Sequence, residues 1–153
     1  MTTAQNKNKL IGEWLQGLLI DLKDKNDTKA FKKVLLGYDE QKIKSFGDGV
    51  LATTYVTRTD YQKTFGIHNR PVYIHSVVAF VIKGTSESKY NRAVSLLDLL
   101  QENFETNKDW KKLETPVRVV RDTDVLNSYL RLAPINKKLS IIGFFELRHH
   151  VYK

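Results

Sequence analysis

The chain has 153 residues, a length that suits one domain. Hydrophobic residues make up 41% and charged residues 27%, which excludes both a disordered chain and a membrane-embedded one. The net charge is +8 and cysteine is absent, which excludes a disulfide framework, a thiol nucleophile and a thiolate metal site.

The expectation is a single domain over residues 1–153, with residues 1–8 as a flexible, polar N-terminus. That terminus lacks the apolar core of a signal peptide. The longest nearly unbroken apolar run, at 77–82, falls far short of the ~20 residues of a membrane helix. The excess charge is spread along the chain. Residues 1–46 carry net +3, 47–90 net +2, 91–124 net −1 and 125–153 net +4. This reads as a basic, solvated surface rather than a nucleic-acid-binding tail, although the same field attracts polyanions.

Residues 9–23 read as a helix. Leu10, Ile11, Trp14, Leu15, Leu18, Leu19 and Leu22 form a wide stripe of period 3.6, with Asn6 or Asn8 as candidate caps. Asp21, Asp24 and Asp27 crowd its end, where the helix dipole disfavours them. Residues 30–36 read as a strand and 37–40 as a turn. Residues 45–49 (Ser-Phe-Gly-Asp-Gly) give a stronger turn signal and read as a hairpin turn. Residues 50–58 form a second strand and 59–70 a long polar connection. The run at 72–83 is apolar on both alternating faces, so it reads as a central, doubly covered strand.

A second helix is predicted at 88–105, with Tyr90, Ala93, Val94, Leu97, Leu100 and Phe104 as its stripe, Leu96 and Leu99 widening it, and Ser86 or Ser88 as N-cap. Trp110 and Leu113 pack back from the polar segment 105–116. Short strands follow at 117–120 and 126–132, and Pro134 breaks the second of them. The last strand is predicted at 139–147. Segregated helices and strands give an α+β fold, a mainly antiparallel sheet flanked by two principal helices.

Motifs for chemistry are scarce. There is no GxGxxG, no P-loop, no GxSxG elbow and no HExxH. His149 and His150 are adjacent on a strand, so they point to opposite faces and do not chelate one ion together. Asp122-Thr-Asp124 reads as a turn. Glu87-Ser-Lys89 with Asp60 is a loose echo of a magnesium nuclease, the weakest of the readings considered. Tyr55, Arg58, Tyr61, Lys63 and Phe65, with His68 and Arg70 beyond, interleave aromatic and basic side chains as a single-strand-binding surface does. A basic nucleic-acid-binding module is therefore the alternative reading. No catalytic residue, cofactor or metal is expected.

The element order carries a resemblance. An amphipathic helix opens the chain, and a strand pair and a long loop follow. Arg70-Pro71 then introduces the long apolar strand, a helix begins near Tyr90, and a terminal strand over 139–152 closes the chain. This pattern resembles the tail-terminator (tail-completion) proteins of long-tailed bacteriophages, with head–tail connector and neck proteins close behind. The resemblance implies a virion protein, assembled in the host cytoplasm. Its subunits form a hexameric homo-oligomeric ring that caps the tail tube, stops its polymerisation and docks the head through a completion or connector protein. DNA passes through the channel of such a ring. The loop 59–70 and the terminal strand 139–152 are the expected ring contacts. Arg58, Tyr61, Lys63, Arg70, Lys137 and Lys138 are the candidate subunit or DNA contacts.

Overall fold

A computed structural model describes residues 4–61 and 72–152. In chain order the elements are α1 (Ala4–Asp21), β1 (Lys33–Leu36), α2 (Glu40–Ser45), β2 (Val50–Tyr61), β3 (Val72–Lys83), α3 (Glu87–Thr106), α4 (Lys108–Lys111), β4 (Val120–Ile135) and β5 (Lys138–Val151). The five strands form one sheet in the order β1-β2-β3-β5-β4. Every pairing is antiparallel except β1 with β2. The α+β architecture with two long helices is the one the sequence pattern predicts.

The stripe of α1 buries Ile11, Leu15 and Leu19, while α3 buries Ala93, Leu96, Leu100 and Phe104. Both pack against the same sheet face, where Ile74, Val78, Phe80, Ile141, Phe145 and Leu147 meet them. α4 adds Trp110, whose ring meets Phe104 edge-on at 4.9 Å. At the centre of this layer Phe80 lies over Gly143, whose missing side chain leaves room for the ring. β3 is central, as its doubly apolar sequence requires.

Several local expectations are overturned. α1 begins at Ala4, so residues 4–8 are helical rather than a flexible arm, and Asn6 and Asn8 lie inside the helix, not at its cap. After α1, Asp24 folds back to accept the N–H groups of Asn26 (2.9 Å) and Thr28 (3.1 Å). Those bonds, the one from Thr28 foremost, hold its carboxyl below its ordinary range. An acid unsuited to a helix C-terminus thus makes a turn.

The first strand is shorter than expected, and the segment 37–49 is a crossover between parallel strands rather than two turns. It holds α2, which buries only Ile43 and so shows no periodicity in sequence. Asp39 caps it by accepting the Lys42 N–H at 3.1 Å. The 45–49 segment leads from α2 into β2 instead of closing a hairpin. Of its two glycines only Gly49 takes a positive φ, +103°. β2 continues to Tyr61, so the start of the predicted 59–70 loop is strand. Residues 62–70 of that loop lie outside the described residues.

The largest correction is β4. The predicted strand at 126–132 is part of one 16-residue strand, of the predicted strand at 117–120 only Val120 belongs to it, and Asp122 and Asp124 lie within it, not in a turn. Two bulges, at Val120/Asp122 and Val125/Asn127, break the alternation that would have revealed it. Pro134 is accommodated because β4 is an edge strand, where a missing N–H costs no ladder bond. A two-residue turn with positive φ at Asn136 (52°) and Lys137 (66°) joins β4 to β5. β5 is longer than predicted, reaching Val151.

Candidate assembly surface and polar belt

Helices α1, α3 and α4 cover one sheet face. Among the described residues the opposite face is covered at one end, where α2 packs Ile43 against Leu35 and Leu51. Beyond α2, half-buried Tyr55 and Val77 lie opposite each other on β2 and β3, and half-buried Phe144 and Tyr129 on β5 and β4. Tyr129 stacks on Phe144 at 5.1 Å. Burial raises the Tyr55 hydroxyl above its ordinary pKa. A groove of about 290 Å³ runs between α2 and the β4–β5 hairpin, with Tyr55, Ala79, Ile135 and Phe144 among its walls.

Further along the same face the strands carry a belt of charge. Asp60 accepts from His75 Nε2 at 2.8 Å and pairs with Arg58 at 3.2 Å. Asp124 accepts from Arg148 at 3.0 Å and from His150 Nε2 at 2.9 Å, both on one oxygen. Tyr73, the β3 register partner of Asp60, lies against the second group, with Arg148 5.0 Å above its ring and His150 4.7 Å away edge-on. Partial burial pushes the Asp124 carboxyl up, but the bonds from His150 and Arg148 outweigh it and hold the group below its ordinary range. Asp122, Asp124 and His150 also bring donor atoms within 4.8 Å of one another, a trio with metal-ligand chemistry. The Arg148 guanidinium on the Asp124 carboxylate opposes a second cation there. Sequence reasoning missed this trio because the strand pairing that assembles it, Asp122 with His150, lies between two bulges that shift the alternation.

His149 and His150 point to opposite faces, as the strand alternation requires. His149 is fully buried beneath α1, with the Trp14 ring edge-on at 5.8 Å. Its Nε2 lies 2.7 Å from Ser76 Oγ and its Nδ1 2.8 Å from Thr123 Oγ1. The Thr123 hydroxyl proton is already donated to the Lys111 carbonyl at 3.0 Å. His149 must therefore donate through Nδ1–H, and its Nε2 accepts the Ser76 proton. Burial is the main cause that drives its pKa down to about 3, and the charges of His75 and His150 add to it. The chain Ser76–His149–Thr123–Lys111 ties β3, β5, β4 and α4 together. Ser76 is 1% exposed and His149 0%, so the pair staples the core and offers no nucleophile to a substrate. Replacing Thr123 by Val is expected to strand the Nδ1–H and cost roughly 1–3 kcal/mol in a urea melt. A loss under about 0.5 kcal/mol would contradict this proton assignment.

The sequence candidates do not form one surface. Arg58 is exposed and paired with Asp60, at one end of the sheet. Tyr61 ends β2. Lys63 and Arg70 lie outside the described residues. Lys137 and Lys138 are exposed at the β4–β5 hairpin, at the opposite end. Glu87 and Lys89 open α3, beyond the end of β3 remote from Asp60, so the nuclease-like trio is not assembled.

The terminal strand does not offer a free edge either, because β5 lies between β3 and β4. The long edge is β4. From Arg121 to Ile135 its outward N–H and C=O groups have no backbone partner among the described residues. Along it Leu126 is 46% exposed and Leu132 59%. No protein-family model matches this sequence, and no curated protein matches it.

Proposed function

We propose that the chain is a non-catalytic assembly subunit of a long-tailed bacteriophage virion, forming a closed ring in the manner of a tail terminator. The ring caps the tail tube, stops its growth and presents a docking surface to the head. The observation that carries this reading is the free edge of β4, long, regular over residues 127–133 and dressed with exposed leucines. An unpaired edge of that length is a template for another chain. The apolar groove beside α2 is a second, different surface on the same subunit. Contacts between two unlike surfaces are heterologous, and they close into rings when the rotation allows. The two bulges and Pro134 blunt the ends of the edge, which favours a defined contact over open-ended aggregation.

The test is a double variant, Leu126→Lys with Leu132→Lys. Both side chains are exposed, so the fold and its melting temperature are expected to persist. Self-association is expected to weaken about tenfold or more, the scale set by losing burial of a leucine. Unchanged association would remove β4 from the contact. Binding of the parent chain to purified tail tubes, and its loss in the variant, tests the capping role.

A further inference from the structure

A cleft of about 750 Å³ opens where four separate segments meet, at 29–32, 47–50, 82–83 and 88–92. Its floor includes Phe31 and Ile82. Among the described residues its walls carry Lys29, Lys32, Lys83, Lys89 and Arg92 against a single acid, Asp48. Those five cations and one carboxylate leave net +4, half the charge excess of the whole chain.

Among the described residues, one of the five cations has a carboxylate partner and four do not. Arg92 pairs with Asp24 at 3.4 Å. None of the four lysines pairs with a carboxylate among the described residues. Three of them, Lys32, Lys83 and Lys89, lean instead on backbone carbonyls. Lys89 donates to Lys83 O at 2.7 Å, Lys32 to Asp48 O at 3.1 Å, and Lys83 to Lys44 O at 2.9 Å and to Phe46 O. A carbonyl orients an ammonium but leaves its charge and its remaining donors free, since each ammonium has three. Lys83 and Lys89 are half-buried, so their charges act through a medium less screening than water.

The 20-residue helix α3 starts at this cleft and supplies Ser88, Lys89 and Arg92 to it. Its N-cap residue, Ser86, makes no side-chain cap bond, so the first-turn N–H groups are left without that acceptor.

We infer that this cleft is a binding site for an anion bearing several phosphate groups, held by Lys29, Lys32, Lys83, Lys89 and Arg92. Two sources share that chemistry, a DNA backbone and a free oligophosphate. Charge-assisted bonds from converging ammonium groups, with a helix N-terminus behind them, are the means by which proteins hold such groups. The inference stands whether or not the chain forms a ring.

The experiment titrates the full chain at ~50 mM salt, where phosphate contacts are strongest. Inorganic tripolyphosphate is followed by calorimetry and a short labelled DNA duplex by anisotropy. Lys29→Gln and Lys32→Gln change exposed walls, and Lys89→Gln changes a half-buried one. Lys112→Gln removes the same charge from an exposed position outside the cleft. Each cleft variant is expected to weaken binding about tenfold, the size of one lost charge-assisted bond. The Lys112 variant is expected to stay within about twofold, as a distant screened charge should. A duplex that displaces tripolyphosphate and responds to the same variants identifies a DNA backbone as the source. Binding of tripolyphosphate alone identifies a free oligophosphate. Failure of both probes to bind, or an equal loss with Lys112→Gln, would overturn the site.

Discussion

Gly143→Ala is expected to destabilise the protein by about 3 kcal/mol, the upper part of the range for overpacked cores. A Cβ built on Gly143 overlaps the ring of Phe80, the side chain opposite it on β3. Phe80 is fully buried and cannot swing aside, because Phe31 packs at 6.2 Å on a neighbouring segment. Gly143 sits within β5, where its backbone conformation is one that any residue adopts, so the cost is steric and not conformational. The origin of the effect is checked by combining it with Phe80→Leu. Each single variant is expected to lose stability, overpacking in one case and a cavity in the other. Together they are expected to lose less than the sum, with a coupling of roughly 1–3 kcal/mol. Additive losses in urea melts would show that the Phe80 ring does not depend on Gly143.

The second large effect is acid destabilisation through His149. An ordinary histidine takes up a proton near pH 6.5, whereas the folded chain holds His149 neutral down to about 3. Between those values the unfolded state binds a proton that the native state does not. Stability is therefore full above about pH 6.5 and falls as the pH is lowered, by about 1.4 kcal/mol per unit. At pH 5 the loss from this one group is about 2 kcal/mol. Asp124 also loses stabilisation on acidification, but only as the pH drops through its lowered value, beneath its ordinary 3.8. The window from pH 5 to 6.5 thus isolates His149 from that carboxylate. His149→Leu is expected to start less stable, since Ser76 and Thr123 lose their partner, but its stability should be flatter across this window. An undiminished slope in the variant would place the titrating group elsewhere.

How much of this was legible in sequence depended on periodicity. The stripes of α1 and α3 and the doubly apolar β3 are long and regular, so both helices and the central strand were legible. Two details differ: Tyr90, read into the α3 stripe, is 54% exposed, and the second face of β3 is covered among the described residues only toward α2. α2 was hidden because one buried residue, Ile43, makes no pattern. β4 was hidden because bulges shift its alternation twice and because Pro134 and a row of polar residues are tolerated on an edge. That error mattered most for the assembly surface. Read as broken strands, 117–132 offered no edge, and the edge was assigned to the terminal strand, which is interior.

The charge tells a similar story. Summed along the chain the +8 has no focus, because the cleft draws its lysines from segments far apart in sequence. Only the return of β2 and β3 to one end of the sheet, beside the start of α3, collects them. Conversely, the aromatic and basic run from Tyr55 to Arg70 looked continuous in sequence. In the described part of it Tyr55 faces the apolar groove while Arg58 is tied into the polar belt. The acidic pair Asp122 and Asp124, read as a turn, faces the Arg148 and His150 side chains two strands from where Arg58 and Asp60 lie.

The central claim, a subunit built to close into a ring through unlike surfaces, is tested most directly by the mass of the purified chain under native conditions. Native mass spectrometry across micromolar concentrations is expected to show one closed multiple of the 17.7 kDa subunit, a hexamer by the tail-terminator resemblance, with no ladder of larger species. A strict monomer at the highest concentration reached would contradict the account.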